Sequence, residues 1–473
     1  MQQLAILFSK YTGKSNPQIE PLPLSGSNRK YYRLTKDEIS IIGVVGESKD
    51  ENRAFIELSR HFTRQDLNTP ELYAVSDDGM VYIQEDLGND ILFDKIKAGR
   101  ATGVFGPLEK ELLHKTISKL ADFQVKGAEG LDFNICFPQS KFNRRSIMWD
   151  LNYFKYNFLK TTGMDFQEDL LENDFEAMTD RLVEDDYDSF LFRDFQSRNV
   201  MLVDGEPFFI DYQGGRKGPV YYDVASFLWQ ARANFPADLR DELIETYIKS
   251  LRKYRSVDEN MFKKELKQFV LFRTLQVLGA YGFRGYFEKK PHFIQSIPFA
   301  LNNLRDLLLD DFSEYPYLST LLKEMINLKQ FTDTQKKELR LRVFSFAYKK
   351  GIPNDSSGNG GGYVFDCRAI NNPGKYERFK KVTGLDKEVI QFLESEGEMQ
   401  AFLDNVFPLV EKHVKRYMER GFTDLMVSFG CTGGQHRSVY AAQKMAEHIS
   451  KMFGIKVSLV HREQNIEQEF AKR

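Results

Sequence analysis

The chain has 473 residues, of which 28% are charged and 42% hydrophobic, and its formal net charge at pH 7 is −2. This is an ordinary soluble composition, and the length exceeds the roughly 250–300 residues of a single core, so we expect two or three domains. The small net charge excludes a general attraction to nucleic acid or to membranes, although local patches can still bind either.

Targeting and redox signals are also weak. The three cysteines, Cys136, Cys367 and Cys431, are scattered and odd in number, which excludes a disulfide framework and is typical of a reducing cytoplasm. The first residues contain only a short apolar run, so we expect no signal peptide. No window approaches the roughly 20 apolar residues that cross a bilayer, and no signal indicates an oligomeric state.

The first 86 residues are predicted to form a small lobe rich in strands. The segments 31–34 and 39–45 are apolar runs on either side of a polar turn, and residues 51–67 have helical spacing with Phe55, Leu58 and Phe62 on one face. A short strand closes this lobe before Asp86. Residues 87–328 have a largely helical pattern, which includes the spacing of Phe269, Phe272, Leu275 and Gly279. The pattern predicts an α+β bilobal unit.

A predicted hairpin interrupts the helical region with the sequence FLFRDFQSRNVMLVDGEPFFIDYQGG, residues 190–215. Asp194 follows an arginine and Asn199 comes five positions later, as in an H-R-D-x-x-x-x-N catalytic loop. A turn at Asp204-Gly205 leads to FFIDYQ, which we predict as a second strand carrying Asp211. Phosphoryl transfer needs such a set, one carboxylate for the acceptor hydroxyl and an amide and a carboxylate for magnesium. These side chains could instead be turn formers, but their joint spacing favours catalysis.

Several ordered motifs resemble the aminoglycoside phosphotransferase superfamily over about residues 20–320. They are LSGSNRKYYRL, YIQEDLG, FRDFQSRNV, FIDYQGG and GPVYYDVASFL. Within that superfamily the chain resembles the branch of anomeric amino-sugar kinases that act on N-acetylmuramate and N-acetylglucosamine. The resemblance implies a bilobal protein-kinase-like fold and an ATP- and Mg²⁺-dependent kinase that phosphorylates a sugar hydroxyl.

The resemblance also implies roles for individual residues. Asp194 would be the catalytic base, Asn199 and Asp211 would bind magnesium, and Asp223 would be a structural acid that braces the catalytic loop. The ATP-binding residues would lie in a phosphate-covering turn and in the hinge: Ser25, Gly26, Ser27, Asn28, Arg29, Lys30, Gln84, Glu85 and Leu87.

Two positions depart from the kinase pattern. Phe192 stands where a histidine usually precedes the aspartate, so one orienting contact is lost. The strand ISIIGVV has no lysine for the α- and β-phosphates, because Gly43 or a neighbour occupies that place. Arg29, Lys30 and Arg33 could supply the missing charge. The missing lysine leaves a second hypothesis open, a regulatory adapter whose pseudokinase domain only binds nucleotide.

The last part of the chain has a different pattern. Residues 329–341 are polar and are predicted to be a linker helix. In residues 342–473, the apolar runs VFSFAY, YVFDCRAI, LMVSFGC and KVSLVH alternate with amphipathic helices, which predicts a small α/β domain with a mainly parallel sheet. LMVSFGC runs into a glycine turn and then a helix. The helix N-terminus and turn would bind an anion, with His436 and Arg437 as further donors.

Two interpretations of this turn compete. Cys431 and Arg437 have the C-x5-R spacing of cysteine phosphatases. The ordered motifs SFAYKKGIP, YVFDCRAINNPG, TGLDKEV, GCTGGQHRSV and HRE instead resemble the C-terminal domain of the RNase adapter RapZ over residues 343–464. That resemblance implies a module that senses glucosamine 6-phosphate and binds a small RNA. Its sugar-phosphate site would comprise Lys350, Thr432, Gly433, Gly434, His436 and Arg437.

Two further features bear on that resemblance. No G-x-x-x-x-G-K-[ST] motif is present, although RapZ carries a P-loop domain. The segment QNIEQEFAKR stands in place of a strongly basic tail, so RNA binding is doubtful. Both resemblances concern amino sugars, and the second domain would then sense an amino-sugar phosphate effector and regulate the kinase.

Overall fold

The computed structural model describes residues 1–23, 29–183, 187–332, 339–355, 357, 360–420 and 422–470. The chain divides into two compact units, Met1–Leu328 and Lys329–Arg473. None of the helices in these described ranges is long and apolar enough to cross a bilayer.

The first unit begins with an antiparallel five-stranded sheet in the order β1–β2–β3–β5–β4. Its strands are β1 (Gln18–Pro21), β2 (Lys30–Lys36), β3 (Ile39–Val45), β4 (Leu72–Val75) and β5 (Val81–Glu85). Helix α1 (Gln2–Thr12) packs Leu4, Leu7 and Phe8 against this sheet. Helix α2 (Lys49–Arg64) begins after Ser48, whose hydroxyl accepts the Glu51 N–H and caps the first turn. The predicted strands and helix are confirmed, whereas α1, β1 and β4 were not predicted.

The remainder of the first unit is largely helical, as predicted. Its helices are α3 (Leu92–Lys95), α4 (Lys97–Thr102), α5 (Pro107–Lys126), α6 (Arg144–Phe154), α7 (Glu168–Leu182), α8 (Val220–Leu228), α9 (Ala237–Leu251), α10 (Glu259–Gly282), α11 (Pro291–Ile294), α12 (Ile297–Leu307) and α13 (Pro316–Ile326). Helix α10 packs against α6, α8 and α12. A Cβ at Gly279 would lie 2.8 Å from the Phe154 backbone nitrogen, so glycine permits the close contact between α10 and α6.

Two short strand pairs carry the segment between α7 and α8. Strand β6 (Ser189–Leu191) pairs with β9 (Arg216–Gly218), and β7 (Val200–Val203) pairs with β8 (Glu206–Phe209) through the predicted turn. The prediction that the second strand of this hairpin carries Asp211 is wrong. Strand β8 ends at Phe209, and Asp211 follows with φ 65°, a left-handed conformation that turns the chain out of the ladder.

The second unit is an α/β domain with a five-stranded sheet in the order β11–β12–β10–β13–β14. The strands are β10 (Arg340–Ala347), β11 (Tyr363–Asp366), β12 (Asp424–Cys431), β13 (Lys456–His461) and β14 (Ile466–Phe470). Only β14 pairs antiparallel within these described strands, which confirms the predicted, mainly parallel sheet. The helices are α14 (Lys329–Thr332), α15 (Lys387–Ser395), α16 (Glu398–Arg420) and α17 (Arg437–Phe453).

Residues 329–341, which were predicted to form one linker helix, do not form a single element in the described part of the chain. Helix α14 takes the first four of these residues, and 333–338 lie outside the described residues. Strand β10 already begins at Arg340. Leu341 and Val343 are buried in the core of the second unit with Val427 and Phe429 of β12. The predicted boundary therefore falls inside a strand.

Candidate functional site

The loop after β6 and the end of the β7–β8 hairpin meet in one polar cluster. The Asn199 side-chain nitrogen Nδ2 donates to the Asp194 carbonyl oxygen at 2.9 Å and to Asp211 Oδ2 at 3.4 Å. Asp211 Oδ1 also accepts a hydrogen bond from Gln213 Nε2 at 2.7 Å. The structure therefore brings together the predicted base and the two predicted magnesium ligands.

The donor set of this cluster fits Mg²⁺. Asn199 Oδ1 accepts no hydrogen bond from the described residues, so an amide oxygen is available beside the Asp211 carboxylate. These are hard oxygen ligands of the kind that Mg²⁺ binds together with phosphate oxygens. Burial raises the pKa of Asp211, and the negative charge of Asp194 acts in the same direction. A cation at this position would stabilise the ionised carboxylate.

Asp223, in α8, holds the backbone of the catalytic loop through hydrogen bonds. Its carboxylate accepts the backbone N–H of Phe192 at 2.7 Å and of Arg193 at 2.9 Å, and the Gln124 amide at 3.0 Å. Arg193 has φ 77°, a left-handed conformation that is costly without such support. Burial raises the pKa of Asp223 to about 7, against the effect of these three N–H donors. The contacts are those expected of a structural acid.

Arg273, which is buried in α10, belongs to none of the predicted site motifs. Its Nη2 lies 3.1 Å from Asp194 Oδ1, and its Nε donates to Ser226 Oγ at 3.2 Å. The Asp194 side chain is 57% exposed, so this contact orients a carboxylate that is open to solvent. The histidine that would orient the catalytic loop is replaced by Phe192, and Arg273 instead orients the Asp194 carboxylate. An arginine within the apolar run FVLFRTLQVL was the signal that could have identified it.

The predicted phosphate-covering turn is partly described. Ser25, Gly26, Ser27 and Asn28 lie outside the described residues. Arg29 is 2% exposed, and its Nη2 lies 3.2 Å from Glu51 Oε1 in the first turn of α2. Its guanidinium also stacks over Phe55 at 5.2 Å.

The other two basic residues of this segment have different surroundings. Lys30 is exposed at the start of β2. Arg33 forms two hydrogen bonds with the Asp86 carboxylate, at 2.7 Å and 3.0 Å, next to the predicted hinge. The three candidates for the missing charge are therefore not equivalent, because Arg29 is buried beside α2, Lys30 is exposed, and Arg33 is bound to Asp86 next to the predicted hinge.

The structure also explains why β3 has no lysine at its centre. A Cβ on Gly43 would lie 2.5 Å from Leu34 Cδ1 and 2.6 Å from Leu4 Cδ2, so α1 fills that side of the strand. The flanking positions, Ile42 and Val44, are buried and apolar. The ion pair between the sheet region and the neighbouring helix is instead formed by Arg29 and Glu51 of α2. In protein kinases the β3 lysine and the αC glutamate form such a pair.

At the predicted hinge, two polar groups have no hydrogen-bond partner among the described residues. Gln84 and Glu85 end β5, where they pair with β3, and Leu87 follows them. Leu87 donates its N–H to no group in the described part of the chain. Gln84 Oε1 is buried without a hydrogen-bond partner among the described residues. Buried polar groups normally find partners, so a nitrogen-rich ring such as adenine would suit this edge.

In the second unit, the turn between β12 and α17 exposes backbone at a helix N-terminus. Thr432 and Gly433 are exposed, and Gly434 has φ 65°. A Cβ on Gly434 would lie 2.4 Å from Glu463 Cγ and 2.8 Å from the Ala347 backbone nitrogen, so the turn requires glycine there. The helix dipole and the N–H groups of the turn favour an anion at this end of the sheet.

The side chains predicted to complete this site are mostly engaged within the protein. His436 Nε2 forms a hydrogen bond with the Phe379 carbonyl at 2.9 Å. Arg437 Nη1 donates to the carbonyls of Arg368 at 2.9 Å and Ile370 at 2.7 Å. Both side chains are buried, and these bonds hold the segment after β11 against the start of α17. A phosphate contact by either residue stays a prediction. Such a contact would have to use a side-chain nitrogen other than His436 Nε2 or Arg437 Nη1, because these two atoms already bond to backbone carbonyls.

Lys350 and Cys431 lie at the edges of the same site. Lys350 is 69% exposed, and its Nζ lies 2.5 Å from Glu463 Oε2. The Cys431 thiol is buried, with its Sγ 3.1 Å from Ser438 Oγ. A cysteine phosphatase needs a thiolate that reaches its substrate, so the burial of Cys431 does not support that interpretation.

Comparison with protein families matches both units. The model of the phosphotransferase enzyme family, APH, matches residues 18–259. The chain belongs to this phosphotransferase family. The model of the RapZ C-terminal domain matches residues 339–465, so the phosphotransferase is fused to a RapZ-like domain.

Individual curated relatives match parts of this chain. A nucleotide-binding protein of Lactobacillus acidophilus is 32% identical over 184 residues, covering 35% of this chain and 60% of its own length. One from Petrotoga mobilis is 42% identical over 127 residues, covering 27% and 42%. This chain therefore spans about half the length of the curated relatives that it matches.

Solved structures with a similar fold cover the phosphotransferase more widely. A crystal structure of a putative aminoglycoside phosphotransferase from Ralstonia eutropha has a TM-score of 0.45 and 11% identity, over 68% of this chain and 98% of that one. A choline kinase from Cryptosporidium parvum has a TM-score of 0.44 and 12% identity, over 66% and 95%.

Proposed function

We propose that the phosphotransferase unit transfers the γ-phosphoryl group of ATP to a hydroxyl of a sugar and that it uses Mg²⁺. The observation that carries this proposal is the cluster of Asp194, Asn199 and Asp211 in a member of the phosphotransferase family. Phosphoryl transfer depends mainly on positioning and on electrostatic stabilisation, and this cluster offers the groups for both.

Each part of the cluster would have a separate task. Asp194 would align the acceptor hydroxyl and accept its proton, with its carboxylate oriented by Arg273. Asn199 and Asp211 would hold Mg²⁺, which when bound neutralises charge on the β- and γ-phosphates. The backbone of Leu87 would meet adenine, and Arg29 would lie on the phosphate side of the nucleotide.

The acceptor and the second unit complete the proposal. An amino sugar such as N-acetylmuramate or N-acetylglucosamine is the acceptor that the sequence resemblance favours. The turn Thr432–Gly433–Gly434 would bind an amino-sugar phosphate through its N–H groups. Three buried, unpaired cysteines agree with a cytoplasmic protein.

The direct test is ATP consumption by the purified protein with Mg²⁺ and a panel of sugars and amino sugars. We expect turnover with an amino sugar, and we expect Asp194→Ala to abolish it while the protein still binds ATP. Asp188→Ala is a matched control, because Asp188 is exposed and pairs with Arg255 at the surface. Turnover that survives in Asp194→Ala would contradict the assignment of the base.

A second function, a nucleotide-binding regulatory adapter, is favoured by two observations. Strand β3 offers no lysine to ATP, and two curated relatives are called nucleotide-binding proteins. The same assay separates the two functions. ATP binding without turnover on any sugar, with no measurable effect of Asp194→Ala, would favour the adapter.

A further inference from the structure

A cleft opens beside the catalytic loop in the first unit. It lies between that loop, the end of α8, and the helices α10 and α12. No aspartate or glutamate is among the described residues that line it. Three arginines and three aromatic residues line it: Arg198, Arg232, Arg273, Phe93, Trp229 and Tyr281.

The charges of these arginines are unevenly compensated. Arg273 is paired with the carboxylate of Asp194 at 3.1 Å. Arg232 is half-buried, and its partners are neutral: Ser296 Oγ at 2.8 Å, Gln295 Oε1 at 3.1 Å and the His292 carbonyl oxygen at 3.2 Å.

Arg198 has even fewer partners. It is exposed, and its guanidinium lies 5.3 Å from the ring centroid of Phe93. It pairs with no carboxylate in the described ranges of the chain. Two cations of the cleft, Arg198 and Arg232, are therefore without a counter-charge there.

A further arginine stands behind the cleft. Arg100 donates to the Arg232 carbonyl at 3.0 Å and stacks on Phe93 at 3.1 Å. Burial lowers the pKa of Arg100 to about 10, and the charges of Arg198 and Arg232 add to this, while Asp94 opposes it. Burial also lowers the pKa of Arg232, with Arg198 acting in the same direction. Like charges gathered in a partly buried site are costly unless a ligand supplies the opposite charge.

We infer that the acceptor carries an anionic group, a carboxylate or a phosphate, which Arg198 and Arg232 bind. This inference rests on the proposed kinase function, because it names the class of acceptor for the same site: a sugar acid or a sugar phosphate. Guanidinium groups bind both kinds of anion through paired N–H donors. Trp229 and Tyr281 line the same cleft beside the two arginines.

The position of the arginines links charge recognition to catalysis. Arg198 lies four residues after Asp194 in the same loop. An anion held there would fix the distance between the sugar and the catalytic carboxylate, as productive geometry requires. A cationic acceptor would be repelled, and a neutral one would leave both arginines uncompensated.

Binding can be measured separately from catalysis. The chain has two tryptophans, both in the first unit, so Trp149→Phe leaves Trp229 in the cleft as the sole tryptophan, which can be excited selectively over the tyrosines. The probes are N-acetylglucosamine, N-acetylmuramate and N-acetylglucosamine 6-phosphate, which share one ring and differ in charge. We expect at least one anionic probe to bind about tenfold more tightly than the neutral one, and the two anionic arms distinguish a carboxylate from a phosphate.

Variants test the assignment to particular side chains. Arg198→Ala should weaken anionic binding about tenfold and leave neutral binding unchanged, and Arg198→Glu should abolish the preference. Arg232→Gln should act in the same direction as Arg198→Ala. Arg145→Ala is the control, because Arg145 is an exposed arginine of α6 that does not line the cleft.

Several results would overturn the inference. They are equal affinity for all three probes, the absence of binding by both anionic probes, or an equal loss for all probes in Arg198→Ala. Failure of the kinase function looks different. Charge-selective binding without any ATP consumption would support the anion-binding site and contradict the kinase function. Turnover of neutral sugars that is unaffected by Arg198→Ala would support the kinase function and contradict the anion-binding site.

Discussion

At the scale of single residues, the proposed base depends on side chains that are distant in the sequence. Asp194 contacts Arg273 from α10, and its loop is held by Asp223 from α8. Arg193, the residue before Asp194, forms an ion pair with Asp150 at 3.0 Å. The loop is thus fixed from several directions, as pre-organised catalysis requires.

Arg273→Lys tests the orienting contact. Lysine keeps the positive charge but loses the planar fork that reaches both Asp194 and Ser226, so the carboxylate should be held less firmly. We expect kcat to fall by about ten- to a hundredfold while the KM for ATP changes less than about twofold. A raised KM for ATP with an unchanged kcat would contradict this. Arg305→Lys, in α12, is the control, because Arg305 donates to Asn302 and to the Ile326 carbonyl and not to the catalytic loop.

Arg29 tests the replacement of the missing lysine. We expect Arg29→Met to raise the KM for ATP by about tenfold, because the buried guanidinium next to Glu51 is lost. Lys30→Met should have a smaller effect, since Lys30 is exposed. Steady-state kinetics with varied ATP measure both. An unchanged KM in Arg29→Met would contradict the role of this arginine.

At the scale of secondary-structure elements, the ends of strands position the two sites. Strand β8 stops before Asp211, whose left-handed backbone places its carboxylate next to Asn199. Strand β12 stops at Cys431, and the exposed turn before α17 follows. Both sites therefore lie where a regular ladder has ended and backbone groups or side chains are free to face a ligand.

Two neighbouring glycines provide a matched test of the turn. Gly434→Ala should lower the free energy of unfolding of the second unit by about 1–3 kcal/mol, because of its positive φ and the close Glu463 side chain. Gly433→Ala should have little effect on stability, since nothing lies within 4 Å of its Cβ. Chemical denaturation compares the two variants, and equal stability losses would contradict the assignment.

His461, at the end of β13, should make the stability of the second unit depend on pH. It is buried between Ser345 and Gln443, and burial lowers its pKa to about 4. Its pKa in the unfolded chain is about 6.5, so between these values the unfolded state binds more protons. The free energy of unfolding should fall by on the order of 2–3 kcal/mol as the pH decreases from 6.5 to 4.

The variant His461→Gln isolates this contribution. The difference in unfolding free energy between His461→Gln and the unmodified protein, measured by denaturation at several pH values, should shrink or reverse as the pH falls. A difference that stays constant from pH 7 to pH 4 would contradict the buried neutral histidine.

At the scale of the whole molecule, two units with separate cores each match their own family. One carries the cluster proposed for phosphoryl transfer, and the other carries the turn proposed for an amino-sugar phosphate. A chain that combines both would adjust kinase activity to the level of that metabolite if binding at one site changes the affinity at the other.

Glucosamine 6-phosphate tests this coupling. Adding it to the purified protein should change the kinase rate or the affinity for ATP by a few-fold, which corresponds to a coupling free energy of about 1 kcal/mol. The Gly434→Ala variant should lose the response, because the turn that binds the effector is distorted. A flat response in the unmodified protein would contradict coupling between the units.

The sequence alone determined the fold class, the order of the two domains, and the grouping of Asp194, Asn199 and Asp211. These features follow from local patterns, because strand and helix periodicity and the spacing within one hairpin involve residues close in the chain. The roles of these residues remain predictions from motif spacing.

The tertiary structure alone decided which distant side chains join them. Arg273 reaches Asp194 across 79 residues, and Arg29 reaches Glu51 from another element. Packing also decided that His436 and Arg437 form hydrogen bonds with backbone carbonyls, because buried donors must find acceptors. The charge of the cleft beside the catalytic loop depends on arginines from the loop itself, from the segment after α8 and from α10, and no single segment of the sequence contains that pattern.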